Sequence, residues 1–382
     1  MGGTGVAVAH PATANSANPA MLAAKHHDWK NDYGMIIPSI NARLADDEDV
    51  VDQVDAIQDD IDRYDNLISS GASAQEIEAA AGELHDKLEA LDGDVMRADV
   101  GAGFSFAVPN DTLSVGIFSD ATMRAGVKGN VADTDLAQLE AVSNGNQAGT
   151  QLDGNLDSSG RALASAVIEA GISFGRSFDV GMENPVQFGV TPKYVQLRTY
   201  QYTAVVNDFE EDDSDEGDYE TTKSGFNMDL GAAYSFGEDR QWRAGLAIKN
   251  VIPMELDSKY DTTKGEREQT LKLNPMVTAG IAQTTEYYVV TAEAELTKRE
   301  AFGYGDDTQW ISVGAELDAW RYAQLRVGAR HNIASNDDGN GVDEDTQLTA
   351  GIGLMAFGAR LDVGGMVSGD EVGGSVELGV AF

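Results

Sequence analysis

The stretch GGSVELGVAF, Gly373–Phe382, alternates without a break. With Val372 ahead of it, Val376, Leu378, Val380 and Phe382 share one parity; Gly373, Ser375, Glu377 and Gly379 share the other. A period of two with one apolar and one polar side is a β-strand between two different environments. The same pattern recurs upstream. In YYVVTAEAEL, Tyr288, Val290, Ala292, Ala294 and Leu296 oppose Thr291, Glu293 and Glu295. In AQLRVGAR, Leu325, Val327 and Ala329 oppose Arg326 and Arg330, and in ARLDVGGMV, Leu361 and Val363 oppose Arg360 and Asp362.

A soluble sandwich would also alternate. Two features favour a membrane barrel instead. The polar sides carry both signs of charge, as residues lining a lumen and pairing with one another would. The connections also alternate in length: VPND, FDVGMENP, FGEDRQ, AQTTE, DAWRY and AFGA are short, while the segments between them are long. Short turns at one end and long loops at the other, along about fourteen strands, are the pattern of an outer-membrane barrel. The fold expected is therefore all-β, a 14-stranded antiparallel transmembrane β-barrel over residues 33–382. Its last strand ends on the periplasmic side. There Val376, Leu378, Val380 and the terminal aromatic Phe382 form a candidate signal for the barrel-assembly machinery, and this strand must close on the first so that no edge is left in hydrocarbon.

Composition narrows the function. The chain has 382 residues, 64 acidic against 26 basic, for a formal net charge of -38. Nucleic acid is a poor partner for such a surface. The absence of Cys excludes a disulfide framework and a thiol nucleophile. No apolar run reaches the ~18 residues of a membrane helix. The opening MGGTGVAVAH has neither a basic start nor an apolar core, so export would need a signal peptide that this sequence does not carry.

Residues 44–95 break the strand pattern. Val50, Val54, Ile57, Ile61, Tyr64 and Ile68 recur at spacings of three and four, as do Ile77, Leu84, Leu88 and Leu91. Ser73 with Glu76 makes a capping box at the start of the second run. A helical hairpin on the first outer loop is expected, either packing on itself over the barrel mouth or offering a docking surface.

Chemistry-bearing motifs are few. In NDDGNGVDEDTQ, Asn336, Asp338 and Asn340 alternate ahead of Gly341, like the start of a calcium loop. Position one is Asn, the twelfth residue is Gln347, and such runs also make ordinary hairpin turns. No other cofactor is indicated. None of the five His, at 10, 26, 27, 85 and 331, sits in a nucleophile or metal motif, and no enzyme is expected.

The N-terminal stretch GGTGVAVAHPATANSANPAMLA is rich in small residues and precedes the first strand. Its Asn18-Pro19-Ala20, after a Gly/Ala-rich run, resembles the hatch of the FadL family of long-chain fatty-acid transporters. It is more similar still to the TraF-like conjugal-transfer branch of that superfamily, which also carries a helical insert after the first strand. The resemblance implies a monomeric barrel plugged by residues 1–32. It implies capture of a hydrophobic small molecule or lipid at the outer side and lateral exit into the membrane through a gap at a kinked strand. Pro185, Pro192 and Pro275 are the kink candidates, since Pro removes a ladder donor; Pro192 and Pro275 are expected in mid-strand. The long helical insert and the acidity depart from the fatty-acid transporters. The TraF label also covers thioredoxin-like proteins, and a chain without Cys has no thiol-redox role. Two functions follow: passive uptake of a hydrophobic compound across a bacterial outer membrane, or a structural or docking role towards conjugation-system proteins through the outer loops.

Overall fold

A computed structural model describes residues 1–24, 34–46, 50–152, 155–205, 219–319, 322–336, 342–369 and 371–381. The strands are β1 (Gly34–Asp46), β2 (Val95–Val108), β3 (Ser114–Asn130), β4 (Ser159–Phe178), β5 (Val186–Val205), β6 (Glu220–Phe236) and β7 (Trp242–Lys249). They continue with β8 (Met254–Asp257), β9 (Thr270–Leu273), β10 (Met276–Thr284), β11 (Tyr288–Glu295), β12 (Trp310–Ala319), β13 (Ala323–Asn332), β14 (Gln347–Ala356), β15 (Ala359–Val367) and β16 (Glu371–Ala381). All but β8 and β9 form one closed barrel in which neighbours in sequence are neighbours in space, and β16 pairs with β1. The ring has fourteen antiparallel strands. No helix among the described residues is long and apolar enough to cross a membrane; the strands do the crossing.

The alternation sorts as the sequence predicts. On β16, Val372, Val376, Leu378 and Val380 face out, while Glu371 is buried towards the lumen. Leu325 and Val327 on β13 are exposed outward; Val363 and Leu361 on β15 are also exposed. Aromatics gather at the short turns. Phe178 meets Phe188 edge-on at 5.9 Å, and Tyr234, Phe236 and Trp242 stack in series. Higher on the wall, Tyr194 meets Phe226 at 6.0 Å. Two aromatic levels bracketing an apolar band are the signature of a wall embedded in lipid. Phe382 lies outside the described residues.

One strand breaks the rule. Between the pairs Ile36–Ser105 and Ser39–Gly103, Ile37 and Pro38 oppose the single residue Phe104, and the register to β16 shifts at the same place. This bulge inverts the parity of β1: Ile36 is buried inside, yet Ile40 and Leu44 face out.

The helical hairpin forms as expected. α2 (Val50–Ser70) follows the short inner helix α1 (Pro11–Ala17), and α3 (Ala74–Leu91) starts at a complete Ser73–Glu76 capping box. It does not pack only on itself. α4 (Asp133–Ser143), in the next outer loop, adds Leu139 and Val142, and Leu152 and Leu156 follow. Together with Ile57, Tyr64, Leu84 and Leu88 they make a separate apolar core on the outer side.

Candidate functional site

The N-terminal segment lies inside the ring. The Gly2 amide donates to Thr349 Oγ1 on β14 at 2.8 Å, and Asn15 Nδ2 donates to Ser105 Oγ on β2 at 2.7 Å. His10 meets Arg360 of β15 at 3.1 Å, and Ser177 of β4 donates to the Ala23 carbonyl at 3.3 Å. A short segment can touch strands on every side of a closed ring only from within. The described hatch runs to Ala24; residues 25–32 of the expected plug lie outside the described residues.

The Asn18-Pro19-Ala20 motif is its anchor. Asn18 is fully buried; its Nδ2 donates to the Val6 carbonyl at 2.8 Å and to the Ala232 carbonyl of β6 at 3.2 Å. Its Oδ1 accepts from the Ala20 amide at 3.1 Å and caps the 3-10 turn Pro19–Ala23. The side chain therefore joins two hatch segments to the wall. Opposite, the Glu293 carboxylate of β11 accepts from the amides of Gly5 and Val6 at 2.8 and 2.7 Å and from Ala7 at 3.4 Å. Convergent backbone amides are a ready nest for one negative oxygen.

A ring of wall glycines makes room. At Gly116, Gly175, Gly189, Gly231, Gly245, Gly314 and Gly328, a Cβ would come within 3.0 Å of a hatch atom. Each faces the lumen a few residues above the short turns, so the hatch fills the inner half of the barrel. In the sequence these glycines read only as weak strand positions.

Above the hatch lies a cavity of about 2210 Å³. Its wall is mixed, and three clusters of ion pairs stand on it or beside it. Arg43, Arg97 and Arg124 meet Asp99, Glu344 and Glu371 across β1, β2, β3 and β16; Arg43 lies 2.9 Å from Glu344, and Arg97 3.0 Å. Glu344 belongs to the outer connection before β14, so this network ties that connection to the barrel seam. Lys193 of β5 bridges Glu169 of β4 and Asp229 of β6 at 2.8 and 2.9 Å. Arg326 holds Glu316 and Asp362.

One part of the wall is apolar. The connection after β7 folds inward, and its β8–β9 hairpin covers the lumen side of β4 and β5. Met254, Leu256 and Leu271 pack there on Leu163, Val195 and Leu197, with Phe302 from the connection after β11. Val167, Leu271, Leu273 and Phe302 line the cavity.

The proline candidates separate. Pro185 immediately precedes β5 on the turn side, and Pro192 lies within β5, paired with Met228 of β6. The ladder to β4 lapses between Gly171–Lys193 and Phe174–Val190 but resumes without a shift. Pro275 is not in mid-strand, as expected, but stands just ahead of β10, where its missing donor costs no ladder bond. The residue missed in the sequence is Pro38: among the described strands, only its bulge shifts the register, and it does so on both sides. A crevice beside it is lined by His10 and Ala12 of the hatch and by Met35 and Val380 on the outward side.

Asn336 gives its side chain to the neighbouring connection: Oδ1 accepts from the Asp307 amide at 3.0 Å and Nδ2 donates to the Asp307 carbonyl at 3.1 Å. Asp338 and Asn340 lie outside the described residues.

A family model described as "F plasmid transfer operon, TraF, protein" matches residues 16–294, from inside the hatch to the end of β11. The chain belongs to this TraF family. No curated protein matches the TraF-family sequence. In fold it is similar to the TodX ΔS2S3 mutant, a monoaromatic hydrocarbon channel, with a TM-score of 0.56 at 13% identity over 100% of this chain and 97% of that one. It is also similar to the Pseudomonas putida toluene transporter TodX, at 0.50 and 11% over 100% and 97%. A Pseudomonas aeruginosa FadL homologue gives 0.51 and 11% over 100% and 95%. At such identity the likeness is one of architecture: hatch, ring and strand order.

Proposed function

We propose that this TraF-family barrel sits in the outer membrane of a Gram-negative bacterium, placed there by the barrel-assembly machinery, and takes up a hydrophobic small molecule passively. The apolar wall of Val167, Leu271, Leu273 and Phe302, in a cavity of mixed lining on the outer side of the hatch, carries this reading. A nonpolar compound gains ~25 cal/mol per Å² buried there. The fold shared with hydrocarbon channels supports the same reading. Exit is proposed at the Pro38 bulge, where the hatch residues His10 and Ala12 share a crevice with outward-facing Met35.

The test is uptake of toluene, as probe, by Gram-negative cells expressing the chain. Wild type should speed uptake, and Phe302→Arg and Leu273→Glu should return it to background at equal barrel abundance. Equal rates in all three would overturn the reading.

A second reading, docking to conjugation-system proteins, is favoured by the α2–α4 core on the outer side and by the ion pairs that fix the outer connection before β14 to the barrel seam. Removing residues 44–95 together with 131–157 takes that core away whole. Uptake should survive the deletion under the first reading; under the second, assembly should fail.

A further inference from the structure

On β5 the usual sorting reverses over the two levels above Tyr194, before the outward aromatics Tyr200 and Tyr202, which cluster with Tyr219. Val195 and Leu197 turn apolar side chains inward under the β8–β9 hairpin, while Gln196 and Arg198 face out. On β6 the outward partners at these levels are Ser224 and Thr222. Polar outward residues capped by a tyrosine cluster are how a wall looks where it leaves the hydrocarbon at the interface.

The neighbouring strands do not reverse. Ladder pairing puts Val100, Met123 and Ala166 in one row with Arg198, and Met96, Val127 and Ala162 in one row with Tyr202. On β2, β3 and β4 every outward residue of these rows is apolar; Met123 is 52% exposed and Val127 36%. On β2 and β3 the inward neighbours stay polar, Arg97, Asp99 and Arg124, while on β4 Ser165 stands between the inward apolar Leu163 and Val167. An apolar outward side is the mark of the lipid-facing band, and here it runs on without a charged interruption. Along β3 the outward face, apolar but for Ser119, extends from Val115 to Val127, roughly 40 Å of strand at 3.3 Å per residue. With a strand tilt of about 40° that is ~30 Å of height, above the usual band of ~25 Å. On β14 the corresponding face runs only from Ala356 to Leu348 before Thr346, roughly 26 Å of strand.

We infer that the outer-leaflet hydrocarbon rises higher on the β2–β4 sector than around the rest of the barrel, and that Met123 and Val127 are lipid contacts. The occupant is acyl chain because the surface is continuous with the membrane band below it. A stepped boundary is met by tilting the barrel or thickening the leaflet locally, each at modest cost.

The chain has no Cys, so single labels report cleanly. Met123→Cys, Val127→Cys, Thr222→Cys, Thr346→Cys and, within the band, Val376→Cys would each carry a nitroxide on the full chain in phosphatidylcholine vesicles. Collision with oxygen against a water-soluble nickel complex then reads immersion. Labels at 123 and 127 should match 376, oxygen-rich and nickel-poor, whereas those at 222 and 346 should be nickel-accessible. Nickel access at 127 equal to that at 222 would overturn the inference. Shielding at 127 from both reagents would also overturn it, showing that protein, such as a second copy, covers the surface.

Discussion

The Glu293 carboxylate of β11 accepts the Val6 amide of the hatch at 2.7 Å, and the same oxygen takes Gly5 at 2.8 Å. The bond joins the mobile-looking, glycine-rich start of the chain to a rigid strand. Hydrogen bonds to a charged group contribute about 1.5–3 kcal/mol each. Glu293→Ala should therefore loosen Gly5–Ala7 while leaving the ring closed. Conductance of the variant in planar bilayers should rise, and the Val6 amide should lose its protection from hydrogen exchange. An unchanged conductance and exchange rate would remove Glu293 as the anchor.

The glycine ring makes a matching prediction from the wall side. A methyl at Gly231 or Gly189 would collide with Asn18, Pro19 or Ala20. Gly231→Ala and Gly189→Ala should displace the Asn18 motif and open the hatch to limited proteolysis. Gly160→Ala, where a Cβ meets nothing within 4 Å, is the control and should be silent.

Glu344 sets an acid limit. Burial is the largest influence and pushes its carboxyl up, but Arg97, Arg43 and Arg124 together outweigh it and hold the group below its ordinary 4.5. A carboxyl depressed in the folded state stabilises fully above its unfolded value and loses that contribution as pH falls through the folded one. Thermal stability in detergent should thus be flat above about pH 5 and fall below it. Glu344→Gln should flatten the acid limb and cost about 3–5 kcal/mol at neutral pH, because it leaves buried guanidinium groups without their partner. A variant as stable as wild type at pH 7 would show that the network holds nothing.

The outer helices should unfold apart from the barrel. Leu84 is fully buried between α2, α3 and α4. Leu84→Ala should cost the bundle about 2–5 kcal/mol and lower its melting point with the ring untouched. A single shared transition for bundle and barrel would contradict their separate cores.

How much of this was legible in the sequence depends on the range of the interaction. The outward parity of β11, β13, β15 and β16 is a local pattern, and it reads directly. So do the Ser73–Glu76 cap and the two helices it separates, because spacings of three and four lie within one window. α4 is faint in the sequence, since only Leu136, Leu139 and Val142 mark its inner side in a short segment. The β8–β9 hairpin is faint too, because its four-residue strands are defined by burial against Leu163, Val195 and Leu197, far away in sequence. The Pro38 bulge is silent because Ile36 and Ile37 are both apolar, so either side suits either residue. The hatch motif could be picked out by its composition, but the glycines that receive it belong to strands scattered from β3 to β13. No local rule ties Glu344 to Arg97 across the chain.

The most direct test of the hatch inside the ring uses the absence of native Cys. Gly34 begins β1, and a Cβ there would lie 3.1 Å from the Ala12 Cβ, near the span of a disulfide. In the double variant Ala12→Cys, Gly34→Cys, mild oxidation in isolated membranes should join the two thiols almost completely and protect them from a maleimide. Thiols that stay free and react with a membrane-impermeant maleimide would mean that the N-terminal segment does not lie against the inner wall, and the plugged barrel described above would be wrong.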